Sequence, residues 1–253
     1  MRAPHQLVHS RARVRPRYAL LPLEGFPSSR LPTWGDAEVR VLAAPALGAR
    51  FVQYLIDLPA GNEGIFFQDG RTETFYYVLA GSGSFVPATP IGRELCPGSF
   101  GLLTPADDLF LKAMAAMRVL VLRKVFEPAN LKHIPGFKAL HGAANDVRTD
   151  VWADNPHARL QTLIPDELAY DMAMNIFTFD PGHGLPYVET HVMEHGLLML
   201  EGKGLYYLDG EWMEVEKDDF IWMGPYCPQS FYATGPTPAK YIYYKNVNRE
   251  IPL

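Results

Sequence analysis

The run Glu189-Thr190-His191-Val192-Met193-Glu194-His195 packs two histidines and two glutamates into seven residues, then gives way at once to the apolar run Gly196-Leu197-Leu198-Met199-Leu200. Imidazole and carboxylate at that density are the donor types that hold a divalent metal. Two geometries compete. On a helix, His191 and His195 lie one turn apart with Glu194 beside them, the H-x-x-E-H arrangement of inverted zinc peptidases. That chemistry needs an unbroken helix, whereas Pro186 stands shortly before, Gly196 directly after, and EGKG and LDGEW follow as turn signals. On a strand, Glu189, His191 and His195 share parity and project from one face, with Glu194 on the other. The strand reading offers one carboxylate and two imidazoles. Its plain alternative, a strand of surface charges or one satisfied core histidine, meets the rule that ionisable groups are seldom buried unless paired or ligating.

The scaffold that must position this cluster reads as sheet. Short β-branched or aromatic runs recur between turn signals, with 22 prolines and 21 glycines in 253 residues, and helix signals are few. FVQYLIDLPAG, TFYYVLAGSGSFV, GSFGLLTP and RVLVLRKV read as strands in the first half; MAMNIFTFDPG, GLLMLEGKGLYYL, DDFIWMGP and KYIYYKNV read as strands in the second. The two sets follow one order, and a repeat emerges. Gly61 matches Gly182, Gly81 matches Gly202 and Lys124 matches Lys245, each 121 residues on. The expectation is two copies of one β unit: an N-terminal arm and first copy over 1–126, a surface linker over 127–166 where periodicity fades, and a second copy over 167–253. By the same offset Glu189, His191 and His195 correspond to Gln68, Gly70 and Thr74, and Gln229 roughly to Leu109, so the first copy offers no matching donors. Glu73, between the matched positions, reads as a rim or polar-network residue.

Composition excludes more than it assigns. An apolar content of 48% with 20% charged residues is that of a globular chain, and no run approaches the roughly 18 apolar residues of a membrane span. A net charge of -5 argues against nucleic acid as a partner. The one basic cluster, Arg11 to Arg17, reads as a solvated or subunit-docking arm. Cys96 and Cys227 form no C-x-x-C, which fits a reduced, cytoplasmic setting. Cys227 lacks a basic neighbour in sequence and reads as a small buried residue, and His183, following Asp180-Pro181-Gly182, as a loop histidine.

With these residues placed, the sequence resembles the cupins, whose first motif has the form G-x5-H-x-H-x3-E-x6-G. Gly182 opens it with one extra residue, Glu189, His191 and His195 take the ligand positions as E-x-H-x3-H, and Gly202 closes it; in the second motif Gln229 stands where the last histidine belongs. More closely, ETHVMEHG, YDMAMNIFTFDPG, DDFIWMGPYCPQSFYATG and YIYYKNVNR resemble the two-cupin family of (S)-ureidoglycine aminohydrolases. That resemblance implies an all-β bicupin of two tandem double-stranded β-helix (jelly-roll) barrels and a homo-oligomer. It implies a metal held by Glu189, His191, His195 and Gln229, with manganese suiting a mixed N/O set that lacks thiolate and iron(II) or zinc also admissible. It implies hydrolytic release of ammonia from a small ureido acid, with Glu189 as ligand and base together and with Tyr241 and Lys245 binding substrate. Lys245 and Tyr241 share parity on the last strand; an outward lysine remains the plain alternative for Lys245. Two other function classes stay open: a non-haem iron cupin dioxygenase, and a non-catalytic small-molecule-binding bicupin.

Overall fold

The computed structural model describes residues 10–86, 93–129 and 137–249, and among these the only helical pieces are three single 3-10 turns. The all-β expectation holds. Two compact units divide the chain. One, the cavity unit, gathers residues 10–27, 150–160 and 175–245; the other takes the remaining described residues.

Each unit pairs a large sheet with a small one. In the cavity unit the large sheet runs Arg13–Arg15, Tyr18–Leu21, Phe220–Met223, His195–Glu201, Ala239–Asn246, Met172–Phe179, Asn155–Thr162, Thr149–Trp152, and the small sheet runs Glu211–Glu216, Lys203–Leu208, Gln229–Ala233. In the other unit the large sheet runs Leu140–Ala143, Ser99–Leu103, Thr72–Ala80, Met117–Val125, Phe51–Leu58, Glu38–Ala43, and the small one Glu63–Phe66, Leu109–Ala113, Gly83–Phe85, Arg93–Leu95. The run Phe220–Met223, His195–Glu201, Ala239–Asn246, Met172–Phe179, Asn155–Thr162 follows the same order as Ser99–Leu103, Thr72–Ala80, Met117–Val125, Phe51–Leu58, Glu38–Ala43, and the shared strands of the small sheets agree likewise, so the repeat is real in three dimensions. Alternating side chains fill each barrel: Phe177, Phe179, Leu197, Met199, Tyr241 and Tyr243 in one, and Ile56, Leu58, Tyr76, Val78, Val119 and Val121 in the other. At about 1.5–3 kcal/mol for each fully buried large apolar side chain, these faces make the barrels rigid enough to hold polar groups inside.

The boundaries differ from those expected. The stretch 127–166 is no plain linker, because it carries the strands Leu140–Ala143, Thr149–Trp152 and Asn155–Thr162; residues 130–136 lie outside the described set. The last two strands meet at Ala153 and Asp154, both at positive φ (49° and 56°), the two-residue hairpin geometry that Asn-Gly or Asp-Gly normally announces. Without that signal the hairpin is hidden. The Arg11 to Arg17 cluster is not simply solvated either. Its strands close the edge of the cavity unit's large sheet, with Leu20 opposite Ile221, while the Arg11 guanidinium grips Asp219 (2.5 and 2.9 Å) and Glu216 (2.8 Å) and Arg17 pairs with Asp209. Three opposite charges draw the arm onto its own chain.

Candidate active site

The chemistry-bearing run is neither a helix nor one strand. His195 opens the large-sheet strand His195–Glu201, but Glu189 lies in a different ladder, bridged to Gln229 of the small sheet through Glu189 N–H to Gln229 O (2.7 Å) and the reciprocal bond (2.9 Å). His191 sits in the connection, its carbonyl accepting from Tyr226 N–H at 2.8 Å. Parity along a single strand is therefore not what brings these residues together; two sheets facing one interior do so.

The reason is a bulge. Gly184 pairs with Tyr232 and Glu189 with Gln229, so five steps on one chain oppose three on the other and Leu185 to Val188 bow out against the cavity. Pro186 within the bow lacks a ladder donor. Gly184 is required where the bow begins, since a Cβ there would lie 2.0 Å from the carbonyl oxygen of Phe231. Gly184→Ala should cost about 1–3 kcal/mol by overpacking, which a thermal melt would read as a fall of about 2–10 °C; an unchanged midpoint would refute the close approach.

The cavity measures about 450 Å³, and its walls include Glu189, His191, His195, Gln229, Tyr241 and Lys245, together with Trp152, Phe177, Tyr206 and Tyr243. Every residue expected in the site thus faces one space. Glu194 does not; it is buried beside Trp222, whose indole N–H donates to it at 3.4 Å. His183 also stays outside, stacked on His157 at 3.9 Å. Burial pushes the Cys227 thiol up to about 11, so it is no nucleophile.

Hydrogen bonds tie the walls together. Gln229 Nε2 donates to His191 Nε2 at 3.2 Å, and Gln229 Oε1 accepts from the Tyr206 hydroxyl at 3.1 Å. The His191 and His195 rings lie 4.9 Å apart, and Lys245 is directly opposite His195 across the ladder. Burial holds both imidazoles below their ordinary range, His195 far below, with Lys245 adding to the effect at His191 and with His191 and then Lys245 adding to it at His195; the shift favours the neutral form that ligation requires. Burial raises the Glu189 carboxyl, and Lys245 draws it partly back.

The repeat needs one correction of register. His195 opposes Lys245 as Thr74 opposes Arg123, so the counterpart of Lys245 is Arg123 rather than Lys124. Alternation sends Lys124 to the opposite face of its sheet, buried with Glu73 and Asp171. Glu73 is thus a polar-network residue. In the first barrel the Arg123 guanidinium lies over the Phe66 ring (4.7 Å) and bonds Thr74 Oγ1 (3.3 Å).

Residues 175–244 match the Cupin domain family. Over 245 aligned residues the chain is 33% identical to (S)-ureidoglycine aminohydrolase of Escherichia coli (strain K12), covering 93% of this chain and 90% of that one. The chain belongs to the (S)-ureidoglycine aminohydrolase family. The (S)-ureidoglycine aminohydrolase of Arabidopsis thaliana is 30% identical, covering 92% of this chain and 76% of its own length, and the crystal structure of the E. coli protein Ylba superposes at a TM-score of 0.84 with 31% identity, covering 98% of each chain. For this aminohydrolase fold, the donor set can be tested against a divalent ion. The 3.2 Å contact to His191 Nε2 is made by the Gln229 amide nitrogen, which is no metal donor; the carboxamide oxygen, the atom that would ligate, accepts from Tyr206 instead. His191 Nδ1 and His195 Nδ1 are buried without partners, a state that calls for a further group in the site. Glu189 stands apart from this pair: among the described residues no three His, Cys, Asp or Glu side chains are gathered closely enough to hold a metal ion. The donors fit in type, with Glu189 beside Gln229 in the ladder and the Gln229 carboxamide having to turn over to present its oxygen.

Two cavity residues are hidden in the sequence reading. Tyr206 occupies the place of Phe85 in the first copy, and a buried tyrosine inside a barrel must bond its hydroxyl; that rule points to it. Trp152 comes from the concealed hairpin and meets Phe177 edge-on at 5.4 Å.

Proposed function

We propose that the chain hydrolyses (S)-2-ureidoglycine, releasing ammonia and leaving (S)-ureidoglycolate, with a divalent ion held by Glu189, His191, His195 and Gln229. The observation that supports this most directly is the content of one cavity: two imidazoles, a carboxylate, a carboxamide, a lysine and four phenols, in a chain whose relatives carry that activity in their names. Bound there, such an ion supplies Lewis-acid stabilisation of developing negative charge; manganese suits the thiolate-free N/O donors, with iron(II) or zinc as alternatives.

The protein's own groups orient and deprotonate. The reacting carbon of ureidoglycine bears a carboxylate, an amine and the ureido nitrogen. Lys245 pairs with the carboxylate, the Tyr241 hydroxyl holds the ureido group, and the Glu189 carboxylate takes a proton from the attacking water and passes it to the amine, which leaves as ammonia as the C–O bond replaces the C–N bond. Phe177, Leu185 and Leu197 on the same wall exclude other water, which strengthens each polar contact.

Ammonia release from freshly generated (S)-ureidoglycine, measured before chelation, after it, and after manganese is restored, tests the assignment. Activity should vanish with the metal and return with it. Release indifferent to chelation would refute the metal, and oxygen uptake without ammonia would favour the dioxygenase class instead.

A further inference from the structure

Four phenols line the cavity; Tyr187 is largely exposed, and two of the other three already bond within the wall. Tyr206 and Tyr241 are hydrogen-bonded to each other, and Tyr206 donates onward to Gln229. Tyr243 is held differently. Its oxygen accepts from the Asn175 carboxamide Nδ2 at 3.2 Å, and its ring lies between Phe177 (5.8 Å, 12°) and His195 (5.7 Å, 22°). The ring cannot swing. With its oxygen engaged by Asn175 as an acceptor, the phenol's own proton is the end available to whatever occupies the cavity.

Asn175 has little other reason to be where it is. It is 4% exposed on the barrel face of the strand Met172–Phe179, and its Oδ1 has no partner. A buried carboxamide left half-satisfied is costly, and an apolar side chain of that shape would avoid the cost. The bond to Tyr243 is what remains to explain it. Tyr243 and Lys245, in turn, alternate on one face of the strand Ala239–Asn246 and both reach the cavity, about 6.7 Å apart along the strand. From neighbouring positions on one face, one cationic and one neutral donor can each take one oxygen of a carboxylate.

Resting on the function proposed above, we propose that Tyr243 and Lys245 together grip the substrate's carboxylate, Tyr243 as a substrate-contacting donor and Asn175 as the residue that positions it. A grip made of donors alone selects an oxygen-only anionic end and rejects a carboxamide, whose N–H groups would meet donors. Tyr241, on the other phenol pair, is left for the ureido group.

The test uses the full chain supplied with manganese, and two probes, ureidoacetate and its carboxamide, titrated calorimetrically into wild type, Tyr243→Phe, Asn175→Leu and the double variant. Wild type should prefer the acid by at least about tenfold; Tyr243→Phe should cut that preference by about tenfold while leaving amide binding unchanged. Asn175→Leu should do the same, and the double variant no more than either single, because both remove one donor. In turnover, each single variant should raise KM about tenfold with kcat within about threefold, the mark of lost binding common to ground and transition states. A Tyr243→Phe protein that keeps the full acid preference overturns the grip, as does a wild type without preference; additive losses in the double variant overturn the role of Asn175. A wild type that prefers the acid and loses the preference in Tyr243→Phe, yet releases no ammonia from (S)-ureidoglycine, leaves the grip standing and removes the reaction.

Discussion

Glu189→Gln should lower ammonia release from (S)-ureidoglycine by about a hundred- to ten-thousandfold, the usual contribution of a positioned general base, while the protein stays folded. The substitution is nearly isosteric, and the backbone bridge to Gln229 that holds position 189 in place needs no side chain, so the barrel should melt as before. What disappears is a carboxylate able to accept a proton and to answer Lys245, the one charged group that offsets burial at this carboxyl. Steady-state rates with ammonia as the readout decide the matter. A Glu189→Gln enzyme within about threefold of wild type would move the proton-accepting role to another group.

The largest effect on stability should come from the other unit. Lys124 is buried against Asp171 and, at 3.4 Å, against Glu73, both carboxylates being inaccessible to solvent. Asp171 also accepts from Glu127 N–H at 2.8 Å. Lys124→Met strands this acid in an apolar setting, and removing one partner of a buried ion pair costs about 3–5 kcal/mol, or about 6–20 °C in the melting midpoint for a chain of this size. Glu73 behaves in the opposite sense. Burial first, and Asp171 next to it, hold its carboxyl well above the ordinary 4.5, so the folded protein keeps a proton that the unfolded chain sheds above that pH. Stability from this group is therefore full below about pH 4.5 and declines as pH rises toward the folded value. Glu73→Gln should match wild type in acid and become progressively more stable than wild type toward neutral and alkaline pH. Denaturant titrations across pH 4 to 9 would show it, and parallel curves for the two proteins would refute a protonated Glu73.

Much of this molecule is legible in its residues. Period-two alternation in runs such as FVQYLIDL and YIYYKNV, with glycine turns repeating at a fixed offset, announces two all-β units because a half-buried strand has no other economical pattern. The donor run at 189–195 announces the site, since so many ionisable groups rarely sit together without work to do. What stays hidden is set by contacts remote in sequence. Nothing local says that Glu189 belongs to the ladder of Gln229 and His195 to that of Lys245; the bow at Pro186 separates them, and a bulge depends on the partner strand. An Ala153-Asp154 turn carries no glycine, so its hairpin and the cavity residue Trp152 escape notice. The offset of 121 slips by one on the last strand, which makes Lys124 imitate Lys245 although the two point to opposite faces. Tyr206 and Tyr243 look like ordinary strand aromatics until the space they enclose is known.

The strand Tyr18–Leu21 is synthesised well ahead of its ladder partner Phe220–Met223, and Arg11 is synthesised 208 positions ahead of the acid that it grips. During translation the arm must wait while the intervening unit is made, and the cavity barrel cannot close until Phe220–Met223 has emerged. A fragment starting at residue 149 would consequently be born with the Phe220–Met223 edge bare, a row of unpaired amides and carbonyls that invites aggregation. Supplying residues 10–27 as a separate peptide should then restore solubility to that fragment only when the Arg11 and Arg17 anchors are present.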